Sequence, residues 1–170
     1  MAHVLIMGMT LSGKTTLAKR LCHAYMAQGV NCIVLDPIND PGWNTPNTFR
    51  DGATFLDVCK QSRQCAVFID ESGAAIGTHA HEMQWLATQA RHWGHKSHFI
   101  MQRGQQLDKT MRDQCTHLYL FRVSKDDSKI IANEFAQDEL LHANELAQFE
   151  FFSTSKFGTP RKELLTLPED

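Results

Sequence analysis

The chain is expected to fold as an α/β three-layer sandwich, a mainly parallel central sheet between helices, finished by a C-terminal β-hairpin. Three observations predict this. Short apolar runs alternate with segments of helical pattern, the rhythm of parallel strands joined by crossover helices. The first apolar run, Val4-Leu5-Ile6-Met7, leads straight into Gly8-Met9-Thr10-Leu11-Ser12-Gly13-Lys14-Thr15, which spells GxxxxGK[ST]. A later run, Ala66-Val67-Phe68-Ile69, ends on the acids Asp70-Glu71.

The elements follow in order. The first strand covers residues 4–9 and the first helix 14–28, closed by Gly29 as a C-cap. A second strand covers 32–35 and ends at Asp36-Pro37. Residues 38–52 are rich in Asn, Pro, Gly and Trp and read as an ordered functional loop. A short helix at 54–61 precedes the third strand, 66–70. A helix at 82–92 ends at Gly94, the fourth strand covers 97–102 and the fifth 118–123. A helix at 125–135 and a helical segment at 137–143 lead to the hairpin, in which Phe149-Glu150-Phe151-Phe152 and Glu163-Leu164-Leu165 flank Gly158-Thr159-Pro160. One domain, 1–170, is expected, with a core over 1–148 and the terminal hairpin over 149–170.

Composition sets the outer limits. The chain has 170 residues, 42% hydrophobic and 21% charged, enough for a substantial core in a soluble protein. No apolar stretch is long enough for a membrane span, and the N-terminus lacks a signal-peptide pattern. Five cysteines, Cys22, Cys32, Cys59, Cys65 and Cys115, form no CxxC pair and read as buried thiols in a reducing compartment. A net charge of −2 provides no global field for nucleic acid, so any such contact needs a local patch or pooled subunits. The densest basic run, 91–112, holds Arg91, Lys96, Arg103, Lys109 and Arg112, and by itself reads as a solvated face.

The chemistry starts at the glycine loop. Such a loop curls backbone N–H groups around phosphate oxygens where a Cβ would obstruct, and the following helix turns its positive dipole end to the same anion. Gly8, Met9, Thr10, Leu11, Ser12, Gly13, Lys14, Thr15 and Thr16 are therefore the expected nucleotide-binding set of a P-loop NTPase. Lys14 neutralises the outer phosphates, and Thr15 with Asp70 anchors Mg2+. Glu71 is placed to orient and deprotonate a water. Gln102, at the end of the fourth strand, faces the γ-phosphate if that strand lies between the first and third. The expected reaction is ATP hydrolysis, with ATP and Mg2+ at the site.

The order of these motifs, with Thr88-Gln89-Ala90-Arg91-His92-Trp93-Gly94 running into Phe99-Ile100-Met101-Gln102-Arg103, resembles the FtsK/HerA superfamily of DNA-pumping ATPases. Within it the chain is most similar to compact genome-packaging ATPases of icosahedral, membrane-containing viruses. The stretches 106–112 and 115–122 extend the likeness to about residues 4–135. The resemblance implies the additional-strand (ASCE) type of sheet and a homo-oligomeric ring, usually a hexamer, with double-stranded DNA in its pore. Procapsid or vertex proteins would be partners, and the location would be host cytoplasm or virion. It also implies a trans-acting arginine finger, for which Arg91 is the first choice and Arg103 the second. Gly104 departs from the proline common in relatives. Pore loops are expected at 41–47 and 73–81.

Other features have blander alternatives. His92, His95 and His98 fall three apart, and His79 and His81 form an HxH, but convergence on zinc is not required by either spacing. Trp43 suits packing on the sheet better than stacking on a base. A small-molecule or nucleoside kinase is the alternative function, although no arginine-rich lid follows the fourth strand. A nucleotide-dependent phage assembly factor is a third.

Overall fold

The structure, a computed structural model, describes residues 3–71 and 77–167. Strands β1 (His3–Met7), β2 (Cys32–Leu35), β3 (Thr48–Phe49), β4 (Ala66–Asp70), β5 (Lys96–Met101), β6 (Cys115–Leu120), β7 (Glu150–Ser155) and β8 (Arg161–Leu164) form one sheet. Its order is β3-β2-β4-β5-β1-β6-β7-β8. All pairs through β6 are parallel, while β6–β7 and β7–β8 are antiparallel. The expected α/β class is therefore the one observed, and the hairpin extends the sheet itself.

Strand alternation sorts the core into two layers. Leu5, Met7, Ile33, Leu35, Val67, Ile69, Phe99 and Met101 face helices α2 (Gly52–Gln61), α3 (Ala80–Thr88) and α5 (Lys125–Phe135). Val4, Ile6, Cys32, Val34, Ala66, Phe68 and Ile100 face α1 (Lys14–Ala27), with Trp43 and Phe151 beside it. Asp51, Asp108 and Ser124 cap α2, the short α4 (Lys109–Asp113) and α5 by accepting from the N3 amide.

Several boundaries differ from expectation. The helix over 82–92 divides into α3 and a 3-10 turn, Ala90–Trp93, before Gly94 reverses the chain at φ 75°. The tightening delivers His95 into the core, where Nδ1 accepts from the Cys65 amide and Nε2 donates to the Cys59 carbonyl. The fifth expected strand starts earlier, at Cys115, and stops at Leu120, because Arg122 already turns its carbonyl to Met9. The first strand stops at Met7, where the loop begins. The loop after β2 contains the two-residue β3, and the expected helix at 137–143 is a 3-10 segment, Asp138–Glu145.

Buried Asp36 orders that loop by accepting from the Ile38 and Asp40 amides and from Trp43 Nε1. Trp43 packs on Phe68, so it is a core residue with no face open for a base. Four of the nine residues of the second expected pore loop, 73–76, lie outside the described residues. No helix among the described residues is long and apolar enough to cross a membrane.

Candidate active site

The loop between β1 and α1 sits on the C-terminal edge of the sheet. The Gly8 amide donates to Met101 and the Met9 amide to Arg122, tying the loop to both neighbouring strands. An added Cβ on Gly8 would lie 2.5 Å from Ser12 Oγ and 2.6 Å from Phe121 Cβ, so only glycine fits. Gly13 occupies φ +110°, which favours glycine, and Leu11 holds φ 63° despite its side chain.

Lys14 is 5% exposed and donates to the Met9 carbonyl across the loop at 3.2 Å. Burial pulls its ammonium below the usual lysine range, and the Asp70 carboxylate opposes that pull. Thr15 Oγ1 donates to Asp70 Oδ2 at 3.4 Å, which brings the expected metal pair together. A hydroxyl and a strand-end carboxylate facing each other at the root of a phosphate loop are hard oxygen donors, a set that fits Mg2+. Among the described residues no cluster of three or more His, Cys, Asp and Glu is placed to hold a metal ion.

A cavity of about 430 Å3 opens over these groups, within the range of small-ligand sites. Gln148 and Phe149 form its far wall: Gln148 Nε2 donates to the Leu11 carbonyl at 2.9 Å, and the Phe149 amide to Ser12 at 3.1 Å. Ile38 and Asp40 line the side nearer β2. Sequence reasoning missed Gln148 and Phe149. They stand well over a hundred residues from the loop, and only the return of β7 beside β6 brings them there.

Gln102 follows β5, which does lie between β1 and β4. Its Nε2 donates to Thr10 Oγ1 at 3.0 Å, so it touches the phosphate loop directly. Glu71 is placed differently from Asp70. Strand alternation turns its carboxyl to the opposite face, toward α3, where it is fully buried and, among the described residues, neither oxygen meets a hydrogen-bond partner of normal geometry. Burial, then Glu82 and Asp70, push its pKa up to about 7, and the His79 amide offsets part of the rise. Glu71 is therefore a costly buried carboxyl whose contact with the His79 amide offsets only part of its burial.

The arginines separate. Arg103 shares the loop's edge of the sheet, in a second cleft with Met9 and Gln102. Arg122 lies on the same rim, against residues 9–12. Arg91 stands before the N-terminal end of β5, hydrogen-bonded to Gln114 at 3.4 Å. The six residues of β5 put it about 20 Å from its own phosphate loop. The basic run 91–112 forms no single patch: Arg112 is locked onto Glu134 at 2.7 Å, Lys109 pairs with Asp113, and the rest divide between the two edges.

Of the histidine triplet, His95 and His98 serve the core, while His92 is exposed. His98 stacks on Phe68 at 4.2 Å, with Nδ1 on the Val67 carbonyl and Nε2 on the Tyr25 hydroxyl. Both ring nitrogens of His95 are likewise engaged, so the triplet has no shared ligand geometry.

Comparison with solved structures gives the same fold. B204, the genome packaging NTPase of Sulfolobus turreted icosahedral virus 2, in complex with AMPPCP, superposes at a TM-score of 0.76 and 16% identity, covering 98% of each chain. TcpA, the pCW3 conjugation coupling protein, gives 0.71 and 14% over 95% of this chain and 59% of its own. VirB4 of Thermoanaerobacter pseudethanolicus gives 0.70 and 9% over 98% and 90%. The likeness to the FtsK/HerA superfamily thus holds at the level of the fold. A search of curated protein sequences finds no significant match. The sequence profile of nSTAND3, Novel STAND NTPase 3, matches residues 1–118, more than two thirds of the chain. With a phosphate loop, its lysine and its strand-end aspartate assembled over one cavity, the chain belongs to the nSTAND3 family of NTPases.

Proposed function

We propose that this NTPase hydrolyses ATP and uses the energy to move double-stranded DNA through a ring of its own copies, as a genome-packaging motor. The observation that carries the chemistry is the convergence of Lys14, Thr15 and Asp70 beneath one cavity, with Gln102 hydrogen-bonded to its lip. Backbone amides of residues 8–16 hold the phosphates, and the Lys14 ammonium balances charge on the outer ones. Thr15 and Asp70 would hold Mg2+, which neutralises charge developing on the phosphate oxygens when bound. Gln102 hydrogen-bonds the γ-phosphate or the attacking water. Glu71, raised near neutrality, turns from the α3 face to take the water's proton.

The motor role is supported by fold and by geometry. The full-length match in fold is to a protein described as a packaging NTPase, and a second is to a conjugation coupling protein. Arg91 lies too far from its own loop to serve there, which suits a finger donated to a neighbouring copy. Arg103 is the alternative donor, and hexameric assembly follows the resemblance. Procapsid or vertex proteins would be the docking partners, in host cytoplasm or on the virion.

ATP turnover measured with and without linear duplex DNA, alongside sizing with a nonhydrolysable ATP analogue, tests this reading. Stimulation by DNA and a nucleotide-stabilised ring are expected. A permanent monomer without DNA stimulation would sink the motor, and phosphoryl transfer to a small acceptor faster than hydrolysis would point to a kinase.

A further inference from the structure

At the catalytic end of the sheet, the ladder between β4 and β5 lacks a rung. The register pairs Asp70 with Ile100, and the Glu71 amide donates to the Ile100 carbonyl at 3.0 Å. In a parallel ladder the next bond would run from the Gln102 amide to the Glu71 carbonyl. The side-chain amide of Gln106 occupies that place instead. Its Oε1 accepts from the Gln102 amide at 2.7 Å and the Arg103 amide at 2.9 Å, while its Nε2 donates to the Glu71 carbonyl at 2.8 Å. Two backbone donors on one side and one acceptor on the other allow only this orientation of the amide.

We infer that Gln106 is a positioning residue of the hydrolytic site, a side-chain rung that holds the backbones of Glu71 and Gln102 one amide group apart. It is 7% exposed, so the three bonds are shielded from water. Its own turn, Gly104–Gln106, is braced from below: Arg112 Nη1 donates to the Gly104 carbonyl at 2.7 Å and the Leu107 carbonyl at 2.5 Å, while Nε and Nη2 grip Glu134 on α5. The spacing matters because Glu71 and Gln102 would act on the same terminal phosphate and water. If β4 and β5 closed to form the ordinary rung, both would retract together. Displacements of that size cost catalysis far more than affinity, because the phosphate loop's contacts are untouched. The inference rests on hydrolysis at this site and is independent of DNA movement.

The test has two arms. In the wild-type chain without nucleotide, hydrogen exchange should find the Gln102 and Arg103 amides both slow, although Arg103 lies beyond the ladder; fast exchange at both would overturn the strut. In the volume-matched Gln106→Met, Arg103 should lose protection while Gln102 keeps it through a new bond to the Glu71 carbonyl. This variant should lower kcat about 10- to 100-fold, with KM for ATP within about twofold. Unchanged kcat, or a raised KM at constant kcat, would refute the role. The exchange arm needs neither a folded variant nor turnover, so it separates failure of the strut from failure of the proposed chemistry.

Discussion

Replacing Glu71 by glutamine should make the protein more stable while it stops turnover, and the gain should depend on pH. The buried carboxyl titrates at about 7 against an ordinary 4.5, because burial, Glu82 and Asp70 all disfavour its charged form. The folded chain thus holds this proton more tightly than the unfolded chain. Its contribution favours the fold fully below 4.5 and is lost as pH rises through 7. The gap corresponds to about 3 kcal/mol. Glutamine cannot ionise, so Glu71→Gln should recover about 3 kcal/mol at pH 8 and about 1 kcal/mol or less at pH 5. For a chain of this length the pH 8 gain corresponds to a rise of about 6–12 °C in Tm. Thermal or urea unfolding in EDTA, without nucleotide, at both pH values reads this difference, and other titrating groups cancel between the two proteins. Equal stability at pH 8, or the same gain at both pH values, would show that charge burial is not the cause. ATP turnover of the variant should fall at least about 100-fold.

Three further outcomes are expected. Lys14→Ala should abolish ADP production and weaken analogue binding, because it removes the loop's buried cation. Arg91→Ala should bind analogue normally and hydrolyse poorly, and mixing it with Glu71→Gln should restore some turnover at interfaces with intact groups from both chains; wild-type hydrolysis by Arg91→Ala alone would end its assignment as finger. Burial pulls His98 down to about 3 and His3 to about 4 from an ordinary 6.5, so each stabilises the fold above 6.5 and loses that contribution as pH falls. Each costs about 2 kcal/mol at pH 5. His98→Phe, which keeps the stack on Phe68, should reduce the loss in stability between pH 8 and pH 5 by that amount in urea titrations.

Much of the site was legible because its parts are local in sequence. The phosphate loop needs glycine where a Cβ would strike Ser12 and Phe121, and its lysine and threonine follow at once. Asp70 was legible for a related reason: four apolar residues ending in an acid describe a buried strand meeting the sheet's edge. Glu71 was found by its position, yet its orientation was not. Alternation in β4 turns it away from the cavity, an effect of side-chain parity in the strand that no motif expresses. Arg91 was suggested only by likeness, and the basic run around it dissolved because β5 carries Arg91 and Arg103 to opposite edges.

What sequence alone determined here is chemistry carried by neighbours along the chain: a phosphate-binding turn, an acid at a strand end, the alternation that demands a parallel sheet. The tertiary structure alone decided what distant segments do to one another. It laid Gln148 and Phe149 over Leu11 and Ser12, placed the Gln106 amide between two strands, and sent Arg91 to the far edge. The physical reason is that a motif is written in local backbone geometry, whereas strand order, register and side-chain facing depend on burial satisfied by the whole chain at once.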